Sequence, residues 1–397
     1  MATRRDILQT MGFGAIASAA PVISFANAET DARFVLVILR GAVDGLAVAA
    51  PWGDGSYRKL RGELAIPAPG NAGGALKLDG LFALHPAFVG LHESFHRGEA
   101  LVVHAVASPY RQRSHFDGQD VLENGAARVG SLRDGWLNRA LAALGGSPGK
   151  EIAIAMAQNT PLVLRGSNSV TSWAPSQLPG VPDSTVRRLQ DLYAGDAFFA
   201  TRLAQALRSQ EIAGEPGTPG RRGNDAARFR ELMASTARFL GTADGPRIAV
   251  VELGGWDTHA NQGSVKGALA NRFVMLDDGL RSLKAGLAPS WKDTVVAVVT
   301  EFGRTVSVNG TRGTDHGTGT AAILAGGAVR GGRVVADWPG LRTQDLYEGR
   351  DLTPTTDLRS VFKAVLAEHL LLPPSFIDRV VFPDSVNAKS LTGVVRS

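Results

Sequence analysis

Six short runs of the chain are apolar at almost every position and rich in β-branched side chains. They are Arg33–Leu39 (RFVLVIL), Leu101–Val106 (LVVHAV), Glu151–Met156 (EIAIAM), Arg247–Leu253 (RIAVVEL), Thr294–Thr300 (TVVAVVT) and Ala321–Ala325 (AAILA). A strand with one wet face alternates polar and apolar residues. Runs without that alternation predict strands covered on both faces, the condition of a parallel sheet between two helical layers. Between the runs, helical spacing covers Ser131–Leu144, Pro182–Ala213, Asp225–Leu240, Ser264–Leu287 and Thr356–Leu372. Strand alternating with helix predicts an α/β fold, a mostly parallel sheet with helices on both faces. Thr356 or Asp357 is placed to cap the last helix, and Pro373-Pro374 stops it.

Two segments interrupt the alternation. Residues Pro51–Gly80 are rich in Gly and Pro and predict a long surface excursion beside the first strand, and 214–224 (GEPGTPGRRGN) predicts a loop between two helices. With no internal repeat, the simplest organisation is a single domain over 29–397 with a helical insertion at about 182–241. Ahead of it come Arg4-Arg5, an apolar stretch from Met11 to Phe25, and Ala26-Asn27-Ala28. That order resembles a twin-arginine signal peptide over 1–28 ending in an A-x-A cleavage site. It implies passage through the twin-arginine export machinery to a periplasmic or secreted location. The stretch is short and weakly apolar, and no other run reaches the roughly 18 apolar residues of a membrane helix. The mature form is therefore expected to have no integral membrane span.

A chain of 397 residues, 44% hydrophobic and 20% charged, can bury a large core. It contains no Cys, which excludes disulfides, a thiolate nucleophile and Cys-ligated zinc or iron–sulfur clusters. A metal would have to be held by carboxylates and by the eight histidines. Loss of the leader removes two arginines and one aspartate, taking the net charge from +5 to +4. No Lys/Arg run exceeds two residues and aromatics do not interleave with basic residues, so no nucleic-acid partner is expected. A local anion-binding cleft remains compatible with this balance.

In open parallel sheets, ligands bind beyond the carboxyl ends of the strands. RFVLVIL is followed by Arg40-Gly41-Ala42-Val43-Asp44-Gly45, and RIAVVEL by Gly254-Gly255-Trp256-Asp257-Thr258-His259. TVVAVVT is followed by Glu301-Phe302-Gly303-Arg304 and, after a Gly-rich loop, by Gly313-Thr314-Asp315-His316-Gly317. Acids and histidines thus fall at three predicted strand ends, among glycines that let backbone approach a ligand. Asp257 with His259, and Asp315 with His316, offer the mixed oxygen and nitrogen ligands that suit zinc or manganese. Asp44 and Glu301 could complete one or two sites. Gathered carboxylates repel one another unless a cation or an arginine stands between them, which favours a divalent metal. Taken singly, each Asp or His could instead cap a helix or brace a turn.

After the second run, Arg111–Asp120 (RQRSHFDGQD) brings a hydroxyl, a histidine, two acids and two arginines into ten residues. Ser114 beside a metal could act as a nucleophile, or could merely cap the helix predicted over Gly118–Glu123. His115 reads as a site residue, possible ligand included. Arg40, Arg113 and Arg304 each adjoin an acidic cluster. Their guanidinium forks could hold a phosphate or sulfate, or could neutralise the carboxylates. His104, inside an apolar run, reads as a satisfied core residue; His85, His92 and His96 lack acidic company, and His369, on the last helix, reads as structural.

The succession RGAVDG (Arg40–Gly45), RSHFDGQ (Arg113–Gln119), GGWDTH (Gly254–His259), EFGR (Glu301–Arg304) and TDHG (Thr314–Gly317) resembles the domain-of-unknown-function 1501 family. That family is similar to the alkaline-phosphatase-like superfamily of phosphatases, sulfatases and cofactor-independent phosphoglycerate mutases. The resemblance implies an alkaline-phosphatase-like sheet with one or two divalent metals (zinc, manganese, magnesium or calcium) at strand ends. It also implies that a metal-bound Ser, Thr or modified Cys attacks a phosphate or sulfate ester. By this resemblance Asp44 matches the first-strand ligand, Asp257 and His259 a ligand pair usually spaced wider, and Ser114 the nucleophile; the modified Cys is excluded by composition. Asp315-His316-Gly317 resembles the superfamily's Asp-His-Gly, which normally sits directly at a strand end. Here Glu301 holds the strand end and Asp315 comes fourteen residues later. Either Glu301 replaces that ligand or the loop folds the pair back.

These readings converge on an exported metal-dependent hydrolase of a phosphate or sulfate ester, small-molecule or glycan. The candidate metal ligands are Asp44, Asp257, His259, Glu301, Asp315 and His316; the candidate catalytic residues are Ser114, His115, Arg113 and Arg304. The competing reading is a non-catalytic periplasmic binding protein that retains the fold. A redox protein is disfavoured by the missing Cys and by the lack of a G-x-G-x-x-G turn.

Overall fold

A computed structural model describes residues 31–145, 151–175, 183–213, 225–243 and 245–396. The leader assigned to 1–28 and the loop assigned to 214–224 lie outside the described residues. In chain order the elements are β1 (Arg33–Arg40), α1 (Gly45–Val48), β2 (Ala49–Ala50), α2 (Tyr57–Arg61), β3 (Leu76–Lys77), β4 (Ala83–Leu84), α3 (Val89–His96), β5 (Ala100–Ala107), α4 (His115–Asn124) and α5 (Trp136–Leu141). There follow β6 (Ala153–Ala155), β7 (Thr171–Ser172), α6 (Asp183–Tyr193), α7 (Ala197–Ala213), α8 (Asp225–Gly241), β8 (Ile248–Gly254) and α9 (Ala268–Gly286). The last are β9 (Thr294–Thr300), β10 (Thr320–Ala325), β11 (Val334–Val335), β12 (Thr356–Asp357) and α10 (Leu358–Glu368).

The main sheet runs β11-β5-β10-β9-β1-β8-β6-β7, with β12 also paired to β5. β1 lies parallel between β8 and β9, Val37 standing opposite Val251 on one side and Val298 on the other. Its side chains alternate between two cores. Phe34, Leu36 and Ile38 pack with Trp136 and Leu137 of α5 and Val361 and Phe362 of α10. Val35, Val37 and Leu39 pack with Leu91 of α3, Met233 of α8 and Phe273 and Leu276 of α9. This is the α/β architecture expected, a mostly parallel sheet with helices on both faces, and it explains the runs without alternation. Each fully buried Val, Leu, Ile or Phe contributes roughly 1.5–3 kcal/mol, so a polar residue is held mid-strand only where its hydrogen bonds are met.

The sixth run departs from the expected direction. β10 is antiparallel to both β5 and β9. Parallel neighbours need a crossover, usually a helix; residues 301–319 contain none and return the chain directly. The carboxyl end of β9 and the amino end of β10 therefore share one edge of the sheet, and the connecting loop stays there.

Other departures are local. The helix expected over 182–213 is two helices, because Gly195 interrupts it and Asp196 Oδ1 restarts it by accepting the Phe198 and Phe199 N–H groups at 3.0 and 3.2 Å. The helices expected from Ser131 and Ser264 begin later, at Trp136 and Ala268. Thr356 and Asp357 pair with β5 before Asp357 caps α10 through the Arg359 N–H at 2.9 Å. The excursion at 51–80 is less superficial than its Gly and Pro content suggests. It forms α2 and β3, joins a small antiparallel sheet ordered β2-β4-β3, and buries Tyr57, Ile66 and Ala75 against Val306 and Leu352.

His104 is a core residue, as its apolar run implies. It is fully buried, Nε2–H donates to the Ala49 carbonyl at 2.9 Å, Nδ1 accepts the Ala105 N–H at 2.8 Å, and the ring stacks on Phe82. Burial pushes its pKa down to about 4, and burial also lowers those of His85 and His369. A depressed histidine stabilises the fold fully above its unfolded value near 6.5, and that contribution is lost as pH falls towards the folded value. Between pH 7.5 and 4.5, urea unfolding of the wild type should lose on the order of 2–3 kcal/mol more stability than His104→Gln does. Parallel pH dependences of the two proteins would remove His104 as the acid-sensitive group.

Candidate metal centre

Adjacency of β9, β1 and β8 brings three strand ends together: Arg40–Asp44, Gly254–His259 and Glu301–Arg304. β5 leads into the start of α4 and delivers Ser114 and His115. Two glycines make the approach possible. Gly41 has φ +121°, and a Cβ there would lie 2.7 Å from the Asp257 backbone nitrogen. A Cβ on Gly317 would lie 2.4 Å from the Arg304 carbonyl carbon. That second contact reports how the 301–319 loop closes. Thr305 N–H donates to Asp315 O at 2.9 Å and Gly317 N–H to Gly303 O at 2.8 Å, pairing Arg304 with His316 in an antiparallel bridge. The loop thus folds the Asp-His-Gly segment back to the strand end occupied by Glu301.

The convergence has a chemical pattern. His115, Asp257 and His316 each offer a ligand atom, all within 4.8 Å of one another. His115 Nε2 is buried without a hydrogen-bond partner, 3.4 Å from Asp257 Oδ2. His316 Nε2 lies 3.2 Å from Asp257 Oδ1, and His259 Nε2 lies 3.0 Å both from that oxygen and from His316 Nε2. The opposite nitrogen of each ring faces an oxygen that can only accept. His115 Nδ1–H donates to Glu301 Oε1 at 2.8 Å, His316 Nδ1–H to the Arg113 carbonyl at 2.8 Å, and His259 Nδ1–H to Asp315 Oδ1 at 3.2 Å. Those bonds set the tautomers, so three Nε2 lone pairs turn towards one carboxylate. Such an arrangement needs a proton or a cation at its centre, and an outer acceptor behind each imidazole is the usual support of a metal-ligating histidine.

Electrostatics follow from the same contacts. Burial pushes Asp257 upward, but the hydrogen bond and charge of Arg304, with His259 and His115 nearby, bring it below the ordinary carboxylate value. Glu301 is also lowered: burial opposes ionisation, and bonds from His115, Thr300 and the Gly41 N–H outweigh it. The Glu301 bond raises His115. Burial, then the neighbouring charges of His115 and Arg304, lower His316 despite its bond to the Arg113 carbonyl.

The remaining predicted residues take separate places. Glu301 stands behind His115: Oε1 accepts from His115, the Gly41 N–H at 2.8 Å and Gln119 Nε2 at 3.2 Å, and Oε2 accepts from Thr300 Oγ1 at 2.9 Å. Asp315 is exposed and bonds Asn309 Nδ2 at 2.9 Å besides His259. Asp44 lies outside the cluster, buried, with Oδ2 taken by Arg61 and by Gln262 Nε2 at 2.7 Å. Ser114 occupies the N-cap position of α4, but its side chain makes no capping bond; its N–H donates to the Tyr110 hydroxyl at 3.0 Å. The arginines neutralise carboxylates. Arg40 pairs with Glu123 and Glu252, Arg113 with Asp351 and Glu348, and buried Arg304 donates to Asp257 Oδ1 at 2.6 Å and to Thr314. Gln262, Thr314 and Arg61 were not anticipated, since neutral side chains and an arginine in YRKLRGEL carry no pattern that marks a site.

No curated protein matches the chain. Among solved structures it is similar to the PsFucS1 sulfatase from Pseudoalteromonas sp. (14% identity, 90% of this chain and 73% of that one, TM-score 0.37). It is also similar to the phosphonate monoester hydrolase of Agrobacterium radiobacter (12%, 86% and 74%, TM-score 0.36) and the lipoteichoic acid synthase LtaP from Listeria monocytogenes (8%, 80% and 69%, TM-score 0.31). At these TM-scores only part of each fold superposes, and the architecture above stands on its own strand order. The sequence itself matches a family over residues 99–381, from β5 past α10, a span that includes His115, Asp257 and His316 and begins after Asp44. By that match the chain belongs to the family described as "Protein of unknown function (DUF1501)".

Proposed function

We propose that this protein is an exported, divalent-metal-dependent hydrolase of phosphate or sulfate esters, built on an alkaline-phosphatase-like sheet. The observation that carries the proposal is the convergence of three imidazole Nε2 atoms on the Asp257 carboxylate. The donor set fits a borderline cation such as zinc or manganese better than calcium, which prefers an all-oxygen shell. His115, Asp257 and His316 would hold it, with His259 completing a fourth position. When bound, the ion supplies Lewis-acid polarisation of the ester oxygen and activation of a nucleophile.

The chain's own residues divide the remaining work. Glu301, the Arg113 carbonyl and Asp315 keep His115, His316 and His259 in the tautomer that leaves Nε2 free. Arg304 keeps Asp257 ionised and takes part of its charge. Ser114, one residue before His115 and not engaged as a helix cap, is the candidate nucleophile. The roles given to Asp44, Glu301 and Asp315 as direct ligands give way in this reading to support from behind. The leader over 1–28 directs export, and with Arg4 and Arg5 both changed to Lys, fractionation should find the precursor retained in the cytoplasm.

Metal uptake tests the site. Titration calorimetry with Zn²⁺ or Mn²⁺ should show stoichiometric binding that Asp257→Ala abolishes and Glu301→Gln weakens by about 10–100-fold. Because its Glu301 bond raises His115, protons compete with the metal even above the ordinary histidine range. Affinity should therefore rise from pH 6 to pH 8, with protons released on binding. Absence of bound metal in the wild type overturns the proposal. For the chemistry, the loaded wild type should hydrolyse at least one member of a panel of aryl phosphates and aryl sulfates, and Asp257→Ala should hydrolyse none. Stoichiometric metal without turnover of either class would leave the binding-protein reading in its place.

A further inference from the structure

Asp44 sits at a strand end, is 1% exposed, and takes no part in the cluster. What it does instead can be followed atom by atom. An ionised carboxylate only accepts, so Gln262 must present its NH₂ to Asp44 Oδ2, at 2.7 Å. That orientation leaves the Gln262 carbonyl oxygen as an acceptor, and two hydroxyls reach it: Thr258 Oγ1 at 2.8 Å and Thr314 Oγ1 at 2.7 Å. Having given its proton to Gln262, the Thr314 hydroxyl offers only lone pairs elsewhere, and Arg304 Nε donates to it at 3.2 Å. Arg304 Nη2 donates to the Thr314 carbonyl, and Nη1 reaches Asp257 Oδ1 at 2.6 Å. From Arg304 through Thr314 and Gln262 each side-chain donor points towards Asp44, while Arg304 Nη1 donates the other way, to Asp257; Asp44, Gln262, Thr314 and Arg304 are all buried.

A second path reinforces the first. Buried Arg61, brought in by α2, pairs with Asp44 through Nη2. Its Nη1 donates to the carbonyls of Thr305 and Val306 at 3.3 and 3.1 Å, immediately after Arg304. Asp44 is thus tied to Arg304 both through side chains and through the backbone that follows it.

We propose that Asp44, Gln262 and Thr314 are positioning residues: a buried, unidirectional chain of hydrogen bonds that holds the Arg304 guanidinium against Asp257 and so sets the carboxylate's orientation among the three imidazoles. The inference rests on the metal-centre reading above and deepens it. It gives Asp44 a role at the site without contact to the ion, and it makes Thr314, two hydrogen bonds from Asp44 and one from Arg304, a determinant of metal affinity. A purely structural alternative is that these groups only fasten the 51–80 excursion to the sheet, with Arg304 held by packing alone.

Asp44→Asn breaks a buried ion pair and can unfold the chain, so the informative variants are milder. Thr314→Val keeps the shape and removes the hydroxyl; Thr314→Ser restores it. Zn²⁺ affinity is measured by calorimetry, with visible absorption of the Co²⁺-loaded protein as a readout of ligand geometry and thermal unfolding as the control for folding. Thr314→Val and Gln262→Leu should each weaken Zn²⁺ binding by about tenfold and alter the Co²⁺ spectrum. Thr314→Ser should bind within about twofold of the wild type, since the hydroxyl bonds are regained. If the wild type takes up Zn²⁺ and both variants bind it as tightly with an unchanged spectrum, the positioning role is wrong and the metal centre stands. If the wild type takes up none, both readings fall. If Thr314→Ser is as weak as Thr314→Val, shape and not the hydroxyl matters, and the relay is overturned.

Discussion

Three imidazole nitrogens and a carboxylate that face one another across roughly 3 Å, all presenting lone pairs, form an arrangement that repels itself unless positive charge enters it. Most of the surrounding structure can be understood as keeping that arrangement together. Each ring is pinned through its other nitrogen, by Glu301, by the Arg113 carbonyl or by Asp315, and rotating away would forfeit that hydrogen bond. Glu301 does this from an almost completely buried position, where three N–H donors and a hydroxyl replace the water a carboxylate would otherwise need.

The sheet supplies the rigidity. Residues on β1, β8 and β9 are buried on both faces, so the three strand ends move little relative to one another. The reversal of β10 is what completes the centre. Because the chain returns without a crossover helix, the loop from 301 to 319 lies along the same edge and pairs with its own beginning. A parallel β10 would have required that loop to cross a face of the sheet, and His316 could not then stand level with Arg304.

Much of this was legible in the sequence, for identifiable reasons. A run such as TVVAVVT can only be a doubly buried strand, and acids with histidines after it mark the edge where ligands bind. The direction of a strand is not written in such a run, since burial is the same either way, so AAILA read as one more strand of the parallel set and its reversal was not legible. Asp257 and His316 were recognisable by residue type. Glu301 was recognisable as a site residue but not as the partner of His115, because a carboxylate two positions from a cation and one touching it have the same local sequence. The roles of Gln262, Thr314 and Arg61 were not legible: two neutral polar side chains and an arginine in a basic stretch acquire them only from the groups that three-dimensional packing sets beside them. The break at Gly195 was a weaker signal than the helical periodicity on either side, and the periodicity alone was followed.

The disposition of the arginines bears on what the centre can accept. Arg40, Arg113 and Arg304 all border it, and all spend their donors on Glu123, Glu252, Asp351, Glu348, Asp257 and Thr314. Three guanidinium groups set against five carboxylates leave this edge net acidic, with the forks of Arg40 and Arg304 already engaged before any anion arrives. In a phosphate- or sulfate-binding protein that worked without metal, the opposite would be expected, with at least one of these forks open and bidentate. In the proposed reading, an ion between the imidazoles would supply the charge that these engaged forks do not. The substrate class and the cation are therefore linked in that reading: with these arginines engaged by carboxylates, a bound cation would add the positive charge that draws an anionic ester. On the same proposal metal would bind before ester, and the buried hydrogen bonds of Glu301 and Arg304 would serve to orient ligands.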